Sequence, residues 1–191
     1  TSGTKEFISK LSIRCSELGT MLIIDECQTG FGRTGKLFAH QLYEVTPDIL
    51  CLGKALGGGL PLGAFISSKE NMKKLAHDPM LGHITTFGGN PLSCAAGQAA
   101  LEVLIASGWM SLVNELGAII TNTLIEHPKI RSVKGMGLLI SIFLDSPQTV
   151  LQIQKKLIER KIISNFFLFE DTALRITPPL CIKKNELKYF T

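Results

Sequence analysis

Two stretches decide the fold of this chain: residues 21–30, MLIIDECQTG, and residues 48–59, DILCLGKALGGG. In each, a short apolar run leads to a charged residue, Asp25 or Lys54, and a glycine-containing turn follows. A short apolar run bounded by turn residues indicates a buried strand. The active groups of open parallel sheets lie at the carboxyl ends of such strands. The pattern therefore predicts an α/β fold that presents Asp25 and Lys54 at the ends of two buried strands.

An aspartate and a lysine presented in this way fit the chemistry of pyridoxal phosphate. The lysine would form a Schiff base with the cofactor, and the carboxylate would pair with the pyridinium nitrogen. Each residue taken singly has a more ordinary explanation. An aspartate after a strand is more often a helix cap or a metal ligand, and a lysine near glycines is more often a solvated surface residue.

Residues 30–35, GFGRTG, match the glycine pattern of dinucleotide-binding sites. That pattern is meaningful only when it directly follows a strand and opens a helix. Here residues 25–29 intervene, and no helix-start signal follows Gly35. In a Walker phosphate loop the lysine follows the glycines, whereas Lys54 precedes them, so no such loop is present here. We therefore do not expect a nicotinamide or nucleoside triphosphate site.

Four segments in the same order resemble the signature of the class III aminotransferases. They are residues 22–35, LIIDECQTGFGRTG; 47–64, PDILCLGKALGGGLPLGA; 85–92, TTFGGNPL; and 174–180, LRITPPL. The resemblance is dense from about Gly19 to Leu104 and looser from Ile130 to Ile182. It implies a fold type I transferase that depends on pyridoxal 5'-phosphate, with part of a large mixed-sheet domain at residues 1–107 and a small, truncated C-terminal α/β domain at residues 108–191.

The same resemblance implies a cofactor site. Lys54 would carry the cofactor covalently, Asp25 would pair with its ring nitrogen, and Gln28 would hydrogen-bond to its ring hydroxyl oxygen. Thr86, with Thr85 beside it, resembles the phosphate ligand of the family, which reaches across a two-fold axis into the site of a partner subunit. The resemblance therefore also implies a homodimer.

Three further residues lie in the matching segments. Arg175 resembles the arginine that binds the substrate α-carboxylate, which a planar guanidinium can hold with two hydrogen bonds. Glu26 is expected to act indirectly, through its neighbours, or structurally. For Arg33 no role follows, and a structural ion pair is as good an explanation. The four histidines show no ligand spacing, so no metal site is expected.

Composition limits the partners of the chain. Of its 191 residues, 45% are hydrophobic, which is enough for a substantial core. The net charge of +4 is modest and is no sign of nucleic-acid binding. The five cysteines form no C-x-x-C pair, which favours reduced thiols in a cytoplasmic protein. No signal peptide or long apolar span is visible, so no membrane partner is expected.

Local patterns predict the helices and strands. The predicted helices are Lys5–Leu18, a short helix capped by Ser68, Pro91–Ala106 capped by Asn90, Met110–His127 and a helix from Ser146-Pro147 to about Lys161. The predicted strands are Met21–Asp25, Ile49–Gly53, Leu62–Ser67, Val133–Leu144 with a kink at Gly135–Gly137, Ile162–Phe169 and Leu174–Thr177. Small residues between Ala95 and Ala100 predict close backbone packing of the helix that contains them.

The resemblance implies transamination from an ω-amine donor, such as acetylornithine or ornithine, to 2-oxoglutarate. Residues 25–28, DECQ, fit the ornithine, acetylornithine and 4-aminobutyrate branches of the family. A 4-aminobutyrate donor is therefore one alternative, and a catalytically inactive fragment or paralogue that serves as an assembly subunit is another. The family's glycine-rich phosphate cradle and its stacking aromatic ring precede the matched region, so we expect this segment alone to be inactive.

Overall fold

The computed structural model of the chain describes residues 3–80 and 83–190. The described chain divides into two compact units. The N-terminal unit contains Gly3–Phe31 and Lys36–Gly108, and the C-terminal unit contains Gly32–Gly35 and the chain from Trp109 onward. The glycine-rich loop at residues 32–35 thus belongs to the unit that is formed by the second half of the chain.

A three-stranded sheet of mixed direction lies in the N-terminal unit. Strand β1 (Ile23–Asp25) pairs in parallel with β2 (Ile49–Leu52), and β2 pairs antiparallel with β3 (Ala64–Ser67). Burial alternates along the central strand β2, in which Leu50 and Leu52 are buried. The prediction of a buried strand is wrong for β1. It is an edge strand of this sheet, and its Ile23 is 57% exposed.

Side-chain caps set the helix boundaries in this unit, and two of the three, Ser68 and Asn90, are those predicted from the sequence. Helix α1 (Lys5–Glu17) begins after Thr4, and α2 (Lys69–Lys74) begins after Ser68; both caps accept a hydrogen bond from a backbone N–H of the first turn. Helix α3 (Pro91–Ala106) begins after Asn90, whose side-chain oxygen accepts from two backbone N–H groups. A short side chain that satisfies these otherwise unpaired donors is what makes each boundary readable from sequence.

The C-terminal unit is built around a four-stranded antiparallel sheet with the order β4-β5-β7-β6. Its elements are α4 (Trp109–Ile125), β4 (Ser132–Met136), β5 (Leu139–Phe143), α5 (Pro147–Glu159), β6 (Asn165–Phe166), β7 (Ala173–Ile176) and α6 (Lys184–Phe190). Apolar side chains from α4, β5, α5, β7 and α6 form one continuous core, which includes Leu116, Ile140, Val150, Leu174 and Leu187.

The strand predicted at Val133–Leu144 is in fact a hairpin. β4 and β5 pair antiparallel, with Met136 opposite Leu139, so Gly137 and Leu138 form the turn. Gly137 has φ +55°, a conformation that glycine adopts without steric cost. The glycines that were interpreted as a kink therefore mark the reversal of the chain. The strand predicted at Ile162–Phe169 shortens to Asn165–Phe166.

Among the described residues, no single helix has the length and apolarity needed to cross a membrane. By length and composition alone, the consecutive helices α3 and α4 would meet that requirement as a broken pair.

Candidate active site

Asp25 and Lys54 emerge at the same end of two hydrogen-bonded parallel strands. Asp25 is the last residue of β1 and is paired with Cys51 of β2. β2 ends at Leu52, and Lys54 follows after Gly53. The carboxyl ends of parallel strands meet at one edge of a sheet, which is where ligands bind in open α/β folds. The structure therefore brings the two residues together, as the sequence pattern predicts.

Lys54 has an unusual backbone conformation. Its φ is +49°, in the left-handed region that residues with a side chain rarely adopt. It begins a short 3-10 turn, Lys54–Gly57. Such conformations cost roughly 1–3 kcal/mol and cluster at functional sites. The Lys54 side chain is exposed, and within the described chain its ammonium makes no hydrogen bond or ion pair. It is available to a ligand.

Helix α3 packs against the turn that carries Lys54. A Cβ atom at Gly97 would lie 2.5 Å from the carbonyl oxygen of Leu56. A Cβ at Gly58, which has φ +59°, would lie 2.5 Å from the carbonyl oxygen of Ala96. These approaches leave no room for a side chain, so the close backbone packing predicted for α3 is confirmed. The backbone of helix α3 therefore packs directly against the turn that carries Lys54.

The Asp25 carboxylate is held in its ionised form. Its Oδ1 accepts a hydrogen bond from the backbone N–H of Cys27 at 2.9 Å. That bond and a hydrogen bond with the Cys27 thiol lower the pKa of Asp25 below its ordinary value. Burial opposes them, and the positive charge of Lys54 adds a weaker lowering of the pKa. An anionic carboxylate suits a protonated ring nitrogen, which is the partner expected for Asp25 from the sequence.

The neighbours of Asp25 differ in their surroundings. Gln28 is exposed, so its amide is open to a ligand. The Cys27 sulfur lies beside Gly53, because a Cβ atom at that glycine would be 3.2 Å from it. Glu26 is fully buried and hydrogen-bonds to groups on two segments of the chain. The sequence suggested only an undefined indirect or structural role for Glu26.

Thr85 and Thr86 lie in an exposed turn that precedes α3. Both line a pocket of about 500 Å³. The other lining residues are Pro61, Leu62, Gly63, Phe87, Gly88 and Gly89. Hydroxyl groups beside glycine backbone are suitable donors for a phosphate. The backbone N–H groups of Leu92 and Ser93, at the start of α3, already donate to the Asn90 side chain. A phosphate in this pocket would therefore rely on the hydroxyl groups of Thr85 and Thr86.

Arg175 belongs to the C-terminal unit. It lies on β7, opposite Ser141 on one side and Asn165 on the other. Its Nε is buried and has no hydrogen-bond partner among the described residues, and its guanidinium carbon lies 5.8 Å from the centre of the Phe167 ring. A buried donor without an acceptor is costly, which favours a ligand oxygen as its partner.

Arg33 connects the loop at residues 32–35 to the turn between β4 and β5 and to the segment after β7, in the same unit. Its Nη1 donates to the carbonyl oxygens of Pro178 at 2.5 Å and Leu138 at 3.4 Å. The Leu138 N–H donates in return to the Arg33 carbonyl oxygen at 3.0 Å. The ion pair suggested from sequence is therefore wrong for the described chain. Carbonyl groups distant in sequence satisfy Arg33, and no local pattern could have indicated them.

The class-III aminotransferase family matches residues 2–191 of this chain. This chain belongs to that family. Class-III aminotransferases are fold type I enzymes that depend on pyridoxal phosphate, and the residues described above fit this cofactor: an unpaired lysine amine, an ionised carboxylate and exposed threonine hydroxyls. The fold and cofactor expected from the sequence are confirmed at the level of the family. Among the described residues, no group of three or more His, Cys, Asp or Glu side chains could hold a metal ion.

Several individual relatives of this class-III chain are similar over nearly its full length. The putrescine aminotransferase of Pectobacterium atrosepticum is 39% identical over 188 residues, which are 95% of this chain and 40% of the relative. The ornithine delta-aminotransferase of Plasmodium falciparum is 35% identical with a TM-score of 0.86, over 97% of this chain and 49% of that structure. The acetylornithine aminotransferase of Elizabethkingia anophelis is 34% identical, with the same TM-score and coverages. The chain thus spans less than half the length of these relatives.

Proposed function

We propose that the protein containing this chain transfers an amino group from an ω-amine donor, such as acetylornithine or ornithine, to 2-oxoglutarate. The observation that carries this proposal is the pair Asp25 and Lys54 at the ends of two parallel strands, with Lys54 held at a positive φ and its ammonium without a hydrogen bond or ion pair among the described residues. The matched enzymes also favour this class of donor, because the names of their substrates describe compounds with a terminal amine.

Each candidate residue has a role that its surroundings support. Bound pyridoxal phosphate supplies an electron sink for the charge that develops on the amino-bearing carbon. Lys54 would hold the cofactor covalently, and its amine would serve as the proton carrier of the reaction. Asp25 keeps the ring nitrogen protonated, and Gln28 donates a hydrogen bond to the ring hydroxyl oxygen.

Substrate and phosphate binding involve residues outside the Asp25 turn. Arg175 binds the carboxylate of the substrate with two hydrogen bonds, which would satisfy its unpartnered Nε. Thr86, assisted by Thr85, donates to the cofactor phosphate of a partner subunit in a homodimer. The domain assignment is part of the same proposal: residues 1–107 continue the large cofactor-binding domain, and residues 108–191 form the small domain.

Steady-state assays of the complete protein with four amino donors test this proposal. We expect kcat/KM for acetylornithine or ornithine to exceed that for 4-aminobutyrate and for putrescine. A preference for 4-aminobutyrate would favour that alternative, and turnover of none of the four donors would favour an inactive assembly subunit. Lys54→Ala is the inactive control, and Lys36→Ala, which alters another exposed lysine of the same unit, should retain activity.

A further inference from the structure

The side chain of Glu26 is the most completely buried charged group of the N-terminal unit among the described residues, with 0% exposure. Its Oε2 accepts hydrogen bonds from the Thr29 hydroxyl at 2.8 Å and the Ala39 N–H at 2.7 Å. Its Oε1 accepts from the His40 N–H at 2.7 Å and contacts the His40 Nδ1 at 3.2 Å. A buried carboxylate is tolerated only with such partners, so this arrangement is held tightly.

These hydrogen bonds join two segments of the chain. One is the turn at residues 25–30, which bears Asp25 and Gln28, and the other is the segment at residues 38–40. Gly30 closes the turn, because its N–H donates to the Glu26 carbonyl oxygen at 3.0 Å. The Phe31 and Phe38 rings meet edge to face, with their centres 5.7 Å apart. The turn is therefore fastened to residues 38–40 by polar and aromatic contacts at once.

We infer that Glu26 is a positioning residue, which fixes the turn so that Asp25 and Gln28 meet the cofactor ring in one orientation. This inference rests on the proposed function, because it takes these two residues as the ligands of the ring. Glu26 itself is fully buried, so its carboxylate is not presented to a ligand. Its effect on binding and on ring orientation is transmitted through the backbone of residues 25–28.

Glutamine cannot replace Glu26 without a conflict. Both carboxylate oxygens face a backbone N–H, that of Ala39 on one side and that of His40 on the other. An amide has one oxygen and one NH2 group, so either orientation of a glutamine side chain at this position would set two donors against each other. A hydroxyl such as that of Thr29 can rotate, but a backbone N–H cannot. Glu26→Gln therefore perturbs the turn while changing no group that would contact the cofactor.

The test compares Glu26→Gln with Asp48→Asn in the complete protein. Asp48 lies at the opposite end of the same strands, where its Oδ2 accepts from the Leu22 N–H at 2.7 Å, so it offers the same chemical change away from the site. Both apoproteins are titrated with pyridoxal phosphate, and the visible circular dichroism of the bound cofactor is recorded because it reports the orientation of the ring. We expect Glu26→Gln to weaken binding about tenfold or more, the scale of one lost hydrogen bond to a charged group, and to change the dichroic band. Asp48→Asn should leave both properties close to those of the wild type.

The outcomes separate this inference from the proposed function. If the wild type binds the cofactor and Asp25→Asn weakens binding, but Glu26→Gln behaves like Asp48→Asn, the positioning role is wrong and the cofactor site stands. If the wild type does not bind pyridoxal phosphate, or Asp25→Asn is without effect, the proposed function fails first.

A second variant covers the case in which Glu26→Gln does not fold. Thr29→Val keeps the shape of the side chain and removes a single donor to Glu26. We expect it to fold, to weaken pyridoxal phosphate binding by a smaller factor than Glu26→Gln does, because it sets no two donors against each other, and to shift the dichroic band in the same direction as Glu26→Gln. A Thr29→Val protein that matches the wild type in both readouts would overturn the inference.

Discussion

Asp25 lies opposite Cys51 in the parallel register of β1 and β2, and the chain reaches Lys54 three residues after Cys51. This register determines where the Asp25 carboxylate and the Lys54 amine lie relative to each other along the edge of the sheet. A slip of one residue in a strand would turn every side chain to the other face. The relation between Asp25 and Lys54 therefore depends on the backbone pairing of two strands, and the predictions below follow from it.

The lowered pKa of Asp25 predicts how cofactor binding depends on pH. A carboxyl group whose folded-state pKa is lowered is ionised above its ordinary value of 3.8, and its contribution is lost only as the pH falls through the lowered pKa. The ratio of pyridoxal phosphate dissociation constants between Asp25→Asn and the wild type should thus stay constant from about pH 7 to about pH 5. Fluorescence titration at several pH values measures it. A ratio that shrinks steadily over this range would show that Asp25 titrates there.

Substitution of Gly97 should disturb the support of the Lys54 turn. The added Cβ of Gly97→Ala would meet the carbonyl oxygen of Leu56 and also the Leu62 side chain at 2.9 Å. Overpacking of this kind costs about 1–3 kcal/mol of unfolding free energy. Urea denaturation of the complete protein measures the loss. Gln98→Ala, at the neighbouring exposed position, is the control and should change stability little; equal effects at the two positions would contradict the packing described here.

The buried Nε of Arg175, which has no partner among the described residues, predicts a specific kinetic defect. Arg175→Lys keeps the charge but loses the two parallel hydrogen bonds to a carboxylate. We expect a loss of roughly 1.5–3 kcal/mol in kcat/KM for the donor and for 2-oxoglutarate, with cofactor affinity unchanged. Arg160→Lys, an exposed arginine of the same unit, is the matched control. Wild-type kinetics in Arg175→Lys for both substrates would rule out the role proposed for this residue.

Mixed dimers test whether Thr86 serves a partner subunit. Lys54→Ala and Thr86→Ala subunits are each expected to form homodimers with two damaged sites. If Thr86 acts in the partner's site, both lesions of a mixed dimer fall in one site and the other remains intact. Each mixed dimer should then have about half of the activity of a wild-type dimer, since one of its two sites is complete. Mixed dimers that form, as shown by differently tagged subunits, yet remain inactive would contradict this assignment.

Local signals predicted much of the fold, because short-range chemistry decides helix boundaries. Ser68 and Asn90 cap their helices as expected, since a cap needs only the backbone N–H groups of the next turn. The hairpin at Gly137 was missed, because the same glycine pattern suits a kink within a strand and a reversal between two strands. The exposure of Ile23 was also missed, since an apolar strand does not reveal whether it lies at an edge.

The candidate site shows the same division between local and long-range information. Asp25 and Lys54 could be placed at strand ends from the apolar runs that precede them, and their roles stay predictions. The partners of Arg33 and Glu26 could not be inferred. Arg33 binds carbonyl groups more than 100 residues away. The contacts of Glu26 with Ala39 and His40 depend on how a loop folds back, and they involve backbone groups that every residue carries.

Borohydride labelling of Lys54 tests the central claim most directly. The complete protein is loaded with pyridoxal phosphate, reduced with borohydride and digested, and the peptide that carries the phosphopyridoxyl group is found by mass spectrometry. The strand register and the exposed ammonium, which has no hydrogen bond or ion pair within the part of the chain that the structure describes, predict the label on the peptide that contains Lys54. Lys54→Ala should bind the cofactor without becoming labelled. A label on Lys36, Lys69 or any other lysine would contradict this assignment, and with it the roles proposed for Asp25, Gln28 and Glu26.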